Sequence, residues 1–288
     1  MHASEHARLL LDQGYTIVRN AAPAEQIKTV QAELAAYLAQ TPACEGDFYG
    51  WKTVRIGAIL KKSPTSHALA LHPTIMSLAE AALGPHCDWF QLNLSQLIAL
   101  HPGQTMQAPH RDHDMWHGAA KTDIEYQINV IWPLTPFTPE NGGTVLWPGT
   151  HKRREAQDLP PLDQSIAATA NPGDALVYLG SLVHCGGANR TDKPREGLVM
   201  SYSLGWLKSY ENNFLAYPPE VARHFSAQMQ DLLGYRIHRP NLGNYEGQSP
   251  ALLLQDGAVT GRAKDELLPA QVELVRAWRN AMEQQAFA

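Results

Sequence analysis

The chain has 288 residues, 44% of them hydrophobic and 18% charged, with 23 Lys and Arg against 28 Asp and Glu for a formal net charge of −5. A chain of this size folds without a disulfide or metal staple. The acidic balance excludes the basic footprint of a nucleic-acid binder, and no uncharged apolar run approaches the roughly 18 residues that a membrane span requires.

In chain order, the first 40 residues predict helix, strand, helix. Residues 14–18 are a short β-type run. After Pro23, at a position where a helix start tolerates proline, Ile27, Val30, Leu34 and Leu38 repeat at spacings of 3 and 4, one apolar helical face. Residues 41–66 lack a period apart from a short strand around 53–56. A helix is expected over 73–83, stopped by Gly84-Pro85. The character then changes to strand-length runs at 91–100, 125–132, 144–147, 175–179 and 198–206, punctuated by Pro, Gly and Asn. In 125–132, Tyr126, Ile128, Val130 and Trp132 alternate with Glu125, Gln127 and Asn129, giving one apolar and one more polar face.

Helices are expected near 220–233 and 269–284, with an irregular stretch at 239–258 between them, long enough to act as a lid. The layout is mainly β with flanking helices: a helical N-terminal part (about 1–85), a β core (about 86–208) and C-terminal helices with the lid loop (about 209–288). No linker-like stretch divides it, so residues 1–288 are expected to form a single domain. Three scattered cysteines, Cys44, Cys87 and Cys185, and a start without a basic segment followed by an apolar run, point to a reducing, cytoplasmic setting.

Thirteen histidines are the one skewed count, and the densest chemistry lies at 107–117, Gln107-Ala108-Pro109-His110-Arg111-Asp112-His113-Asp114-Met115-Trp116-His117. On a strand, residues two apart share a face, so His110 and Asp112 would converge on one point. With one more histidine they would make the 2-His-1-carboxylate triad of non-haem Fe(II) oxygenases. Taken alone, His-x-Asp fits a polar turn with a capping Asp equally well. Three downstream features shift the balance. His184 follows an apolar strand and precedes Gly186-Gly187, although a lone histidine there is more often a satisfied core residue. Arg195, eleven residues on, would fork onto the far carboxylate of a dicarboxylic cosubstrate, although a single arginine is more often a surface one. In Glu140-Asn141-Gly142-Gly143-Thr144, a turn hands a hydroxyl to the start of a strand.

In order and spacing these pieces resemble the phytanoyl-CoA dioxygenase family of Fe(II)/2-oxoglutarate oxygenases. The likeness runs from Gly14-Tyr15-Thr16-Ile17-Val18-Arg19-Asn20 through His110-Arg111-Asp112, Thr138-Pro139-Glu140-Asn141-Gly142-Gly143-Thr144, Pro148-Gly149-Thr150-His151 and Pro172-Gly173-Asp174 to His184-Cys185-Gly186-Gly187-Ala188-Asn189 and Arg195. Gln107, Gly205-Trp206-Leu207-Lys208 before Glu211-Asn212, Gly234-Tyr235-Arg236 and Gly247-Gln248-Ser249-Pro250 resemble its natural-product branch, which includes fungal meroterpenoid oxygenases and the fumitremorgin endoperoxidase.

The resemblance implies a double-stranded β-helix (jelly-roll, cupin-like) core and iron held by His110, Asp112 and His184. It implies Arg195 on the distal carboxylate of 2-oxoglutarate, Gln107 and Thr144 against the same cosubstrate, Arg55 as a further arginine there, and a homodimer. The implied reaction consumes O2, releases succinate and CO2, and oxidises a C–H bond of a small, largely apolar metabolite by hydroxylation, desaturation or rearrangement. Because Asp112 is present, halogenation is disfavoured. Trp116, Tyr126, Trp206 and Phe214 are candidate walls of the substrate pocket, each equally readable as a core aromatic. His113, Asp114 and His117 fall outside the triad, with a His113/His117 zinc pair at helical spacing as a competing arrangement. The alternatives are an acyl-CoA or fatty-acyl hydroxylase of the same family, a zinc hydrolase, or a metal-free jelly-roll binding protein.

Overall fold

The computed structural model describes residues 2–116, 123–153, 159–257 and 261–286. The N-terminal part runs α1 (Ala3–Gln13), β1 (Tyr15–Val18), α2 (Ala24–Gln40), β2 (Thr53–Ile56), α3 (Ser66–Ala70) and α4 (Pro73–Leu83). As the apolar spacing predicts, α2 buries Ile27, Val30 and Leu34. The strands β3 (Phe90–Leu100), β4 (Gln127–Pro133), β5 (Thr144–Leu146), β6 (Ile166–Ala167), β7 (Ala175–Leu179), β8 (His184–Gly186) and β9 (Arg195–Leu204) follow.

They form two antiparallel sheets, one of six strands in the order β1-β7-β4-β9-β3-β2 and one of three in the order β6-β5-β8. This is the jelly-roll core that the family resemblance implies, with the flanking helices expected from the residue pattern. Strand alternation sorts its side chains. On β4, Ile128, Val130 and Trp132 enter the core beneath the helices, together with Leu34, Ile75, Leu78 and Met200. Gln127, Asn129 and Ile131 face a cavity between the sheets. All seven residues of β4 are buried, so its polar face does not meet solvent. Polar side chains that are buried in this way usually find partners, and here the Asn129 amide and the Gln127 Nε2 find them around the site described below, while Gln127 Oε1 has none among the described residues.

The expected helix at 220–233 is two short helices, α6 (Pro219–Ala222) and α7 (Ala227–Leu232), preceded by α5 (Asn213–Ala216). The break falls at Ser226, which leaves the helix to cap α7 by accepting the Met229 N–H. The stretch 239–257 of the expected lid is tied down: the Arg239 guanidinium forks onto Asp88, with Nε at 2.7 Å from Oδ2, and Pro250–Leu254 forms a 3-10 turn. Ala258 lies outside the described residues. The final helix α8 (Pro269–Ala286) stands largely in solvent, with Leu274 71% and Trp278 64% exposed. No helix among the described residues is long and apolar enough to cross a membrane.

Candidate metal centre

His110 is joined to His184 by one antiparallel bridge, in which each backbone N–H donates to the other's carbonyl at 3.0 Å. Arg111 is extended (φ −113°, ψ 131°), so His110 and Asp112 project to one side. Asp112 itself opens a 3-10 turn, Asp112–Met115, anchored by the His113 N–H on Gly180 O at 3.2 Å. The strand assumed from the sequence therefore covers only part of this pair. His184 opens β8 instead of closing the strand before it. The outcome is a cluster of His110, Asp112 and His184, one ligand atom from each, all within 4.8 Å of one another.

Hydrogen bonds fix both ring tautomers. His110 Nδ1 lies 2.9 Å from Ala108 O and His184 Nδ1 lies 3.0 Å from Leu182 O. A carbonyl oxygen only accepts, so each Nδ1 carries the donating proton. In the neutral form each ring turns a bare Nε2 lone pair toward Asp112, at 3.4 Å from Oδ1 for His110 and 3.3 Å from Oδ2 for His184. Three acceptors facing one another require a cation between them, whether a proton or a metal ion. Burial alone would raise the Asp112 carboxyl, but His184 and His110 outweigh it and hold it well below the usual carboxylate range. Burial likewise works against charging His110, yet the Asp112 carboxylate shifts that imidazole upward.

The cluster lines a cavity of about 400 Å³ between the sheets. Arg195, the first residue of β9 and 4% exposed, reaches the same cavity. Its Nε and Nη2 donate to Gly142 O at 3.1 and 2.6 Å, and its guanidinium lies 4.3 Å from the centroid of the Phe137 ring. No carboxylate among the described residues pairs with it. Burial, with a smaller contribution from the charge of Arg55, pushes it down to about 9. Gln107, Thr144 and Arg55 also line this cavity. Gln107 Oε1 accepts the Gly186 N–H at 3.2 Å, Thr144 opens β5, and Arg55 donates to Gln96 Oε1 at 3.1 Å with its guanidinium 4.6 Å from the Tyr49 ring centroid.

The four aromatics proposed from the sequence as pocket walls do not line this cavity. Trp116 stacks on Tyr126 at 6.4 Å and donates to Lys208 O, and Trp206 packs edge-on against Tyr126 at 5.9 Å. Trp206 and Phe214 instead line a second cavity of about 590 Å³. Trp116 and Tyr126 pack on each other, whereas Trp206 and Phe214 keep 37% and 43% of their surface exposed. The described lid residues contribute nothing to the lining of the metal-side cavity either. Phe48, Tyr49, Met115 and Tyr210 do so instead. The Tyr49 and Tyr210 hydroxyls lie 2.6 Å apart, and the Phe48 ring is 4.9 Å from that of His110. His113 is fully buried outside the triad with Nε2 3.3 Å from Asp114 Oδ1, Asp114 lies on the cavity wall, and His117 falls outside the described residues.

Sequence reasoning also missed Tyr178, Gln127 and Asn129. The Tyr178 ring centroid is 4.5 Å from that of His184, and burial, then the Asp112 charge, raises its phenol well above its ordinary value. The signal for Gln127 and Asn129 was present as polar residues at alternate positions of an apolar strand. Cys185, next to His184 in β8, is buried, and burial pushes its thiol up to about 12.

A family model described as phytanoyl-CoA dioxygenase (PhyH) matches residues 10–197. The dioxygenase FrzG of a Cladobotryum species is 34% identical over 216 residues, spanning 70% of this chain and 70% of its own. The dioxygenase olcK of Penicillium canescens is 29% identical over 271 residues, spanning 90% of this chain and 86% of its own. Among solved structures, the epimerase SnoN in complex with Fe3+, alpha-ketoglutarate and nogalamycin RO aligns with a TM-score of 0.58 at 21% identity, over 70% of this chain and 84% of its own. HygX from Streptomyces hygroscopicus, with nickel and 2-oxoglutarate bound, aligns with a TM-score of 0.57 at 15% identity, over 72% of this chain and 89% of its own.

Proposed function

The chain belongs to the phytanoyl-CoA dioxygenase family, and on that premise we propose that it is an Fe(II)/2-oxoglutarate-dependent oxygenase. Its role is to oxidise a C–H bond of a small, largely apolar metabolite in secondary metabolism, with release of succinate and CO2. The observation that carries this reading is one cavity holding both a cation-demanding His110–Asp112–His184 cluster and the buried, carboxylate-free Arg195. Both features fit the implied groups. Two imidazoles and a carboxylate are the donor set of a non-haem iron site with open positions, and a buried guanidinium without a carboxylate partner among the described residues matches a dicarboxylate. The curated relatives named above are dioxygenases, and SnoN, which shares the fold, was solved with a nogalamycin-type ligand.

In this reading His110, Asp112 and His184 hold iron. Arg195 binds and orients the distal carboxylate of 2-oxoglutarate, with Thr144, Gln107 and Arg55 as further polar contacts. Iron with 2-oxoglutarate and O2 supplies the oxidising power needed to break an unactivated C–H bond. Ile98, Leu100, Ile131 and Val199 keep water from the cosubstrate end. The raised phenol of Tyr178 stays protonated at neutral pH, a fixed dipole and not a proton carrier. Phe48, Tyr49, Met115 and Tyr210 replace the sequence-proposed aromatics as the substrate-side walls. The reading takes residues 1–288 as one oxygenase domain in a reducing cytoplasm, in keeping with three free cysteines. A second copy of the chain is the partner proposed for the exposed Val272, Val275, Trp278 and Met282 of α8, which size-exclusion chromatography with light scattering tests.

The deciding experiment measures succinate release by purified protein with Fe(II), ascorbate and 2-oxoglutarate, with and without O2, alongside binding of metal and cosubstrate. O2-dependent succinate, lost in His110→Ala and Asp112→Ala, is the expected result. Wild-type protein that binds neither iron nor 2-oxoglutarate, or variants that bind both unchanged, would overturn the assignment.

A further inference from the structure

The Asp112 carboxylate is nearly symmetric toward the two histidines, with Oδ1 3.4 Å from His110 Nε2 and Oδ2 3.3 Å from His184 Nε2. The imidazoles therefore do not decide which oxygen is offered to a metal. One contact breaks the tie: Asn129 Nδ2 donates to Oδ2 at 2.9 Å. We propose that Asn129 is a positioning residue that holds Oδ2 and leaves Oδ1 as the metal-facing oxygen, and that Gln127 locks Asn129 in the orientation this needs. The proposal rests on the oxygenase reading and deepens it, by assigning what sets the carboxylate.

Donor and acceptor counting fixes the arrangement. An ionised carboxylate only accepts, so the atom of Asn129 facing Asp112 must be Nδ2. Its Oδ1 is thereby turned to Gln127, whose Nε2 donates to it at 2.9 Å and to Ser201 Oγ at 2.7 Å. Both Nε2 hydrogens of Gln127 are committed, and a flip of either amide would set like groups against each other. Asn129 and Gln127 are each 1% exposed and Ser201 is fully buried, so no solvent water relieves such a mismatch.

The placement makes mechanical sense. Asn129 sits mid-strand in β4, paired with Tyr178 of β7 on one side and Ser201 of β9 on the other. Asp112 opens a 3-10 turn outside both sheets. The ligand on the less supported element is thus oriented from the centre of the six-stranded sheet, and such supporting hydrogen bonds govern how a metal ligand is presented.

The test uses anaerobic Fe(II) titration and the charge-transfer absorption that forms when 2-oxoglutarate joins the Fe(II) protein. Asn129→Leu keeps the branched heavy-atom frame, at somewhat larger volume, and removes the donor. Its Fe(II) affinity should fall by about 10- to 100-fold, and the absorption band should shift or broaden. Gln127→Glu leaves Asp112 and Asn129 in place but sets a second acceptor against Asn129 Oδ1, and it should weaken Fe(II) binding in the same sense. Val130→Ala, next on β4 but facing the helix-side core, loosens the strand and controls for a merely structural effect. Its band and affinity should match the wild type. Wild-type affinity and band in Asn129→Leu, or equal losses in Val130→Ala, would overturn the proposal while leaving the oxygenase reading intact. A wild-type protein without Fe(II) and 2-oxoglutarate binding would remove that reading itself. If Asn129→Leu does not fold, Gln127→Glu decides on the same two readouts.

Discussion

Replacing Arg195 with methionine sets the burden of a buried charge against its use. Among the described residues the guanidinium meets the Gly142 carbonyl and the Phe137 face, and burial, with the nearby Arg55 charge, pushes it from its ordinary value down to about 9. That displacement corresponds to roughly 5 kcal/mol working against the charge. Methionine relieves it but strands Gly142 O, at about 1–3 kcal/mol, and gives up the stack on Phe137, at about 1 kcal/mol. The variant should therefore be about 1–3 kcal/mol more stable than wild type without cosubstrate, in the same direction as the gain seen when buried ionic groups are replaced by well-packed apolar side chains. With redox-inert Mn(II) and 2-oxoglutarate at a hundred times its dissociation constant, wild type gains about 2.7 kcal/mol and the variant gains nothing. The variant's advantage should shrink by about 2.7 kcal/mol, closing or reversing the order of stability. Urea unfolding monitored by tryptophan fluorescence, with and without 2-oxoglutarate, measures both. A variant clearly less stable than wild type without ligand, or one stabilised equally by 2-oxoglutarate, would refute the reasoning.

Three further outcomes follow from other contacts. Gly142 has φ +86°, and a Cβ there would lie 2.8 Å from Gly187 O. Gly142→Ala should cost about 1–3 kcal/mol and, by moving the carbonyl that holds Arg195, raise the KM for 2-oxoglutarate, as read by succinate assays. Asp174 accepts from Arg19 Nη1 and from the Asn20 and Asn171 N–H groups at 2.8–2.9 Å, and Asp174→Asn should lower unfolding free energy by about 2 kcal/mol. Burial opposes ionisation of Asp174, but these bonds outweigh it and depress its carboxyl. Its contribution is therefore complete above the ordinary carboxylate range and lost as pH falls through the depressed value; acid unfolding curves should show wild type and Asp174→Asn converging at low pH. Tyr210→Phe removes the hydroxyl contact with Tyr49 at the cavity wall. Stability should change by less than about 1 kcal/mol, with Fe(II) and 2-oxoglutarate binding unchanged and only the KM for the prime substrate raised in substrate titrations.

Local pattern made much of the fold legible. The spacing of Ile27, Val30 and Leu34 gave the buried face of α2, and Pro73 with Gly84-Pro85 bracketed α4. The helix at 220–233 was misjudged because apolar spacing continues through a segment where Ser226 leaves the helix to cap the next one. His110, Asp112, His184 and Arg195 could be named because their order along the chain carries information. The walls of the cavity could not, since Tyr49, Tyr210 and Tyr178 are brought together by sheet closure and each is an ordinary tyrosine in its own neighbourhood. Asn129 is intermediate: its place on the polar face of β4 was visible, but not that this face is buried against the Asp112 turn. The motifs at 14–20 and 172–174 were read with the chemistry, yet Arg19, Asn20 and Asp174 are a clasp between the β1 turn and the approach to β7.

Cys185, the thiol beside His184, bears on how long such a site survives its own chemistry. Turnover without a substrate to consume the oxidant is a route to self-inflicted damage, and sulfur is the first casualty because the thiolate is the form that oxidises. A thiol held at about 12 is only about one part in 10⁵ thiolate at neutral pH. Packed with Val145, Trp147 and Val183, it places a small apolar filler next to an O2-using centre while keeping the sulfur out of its readily oxidised thiolate form.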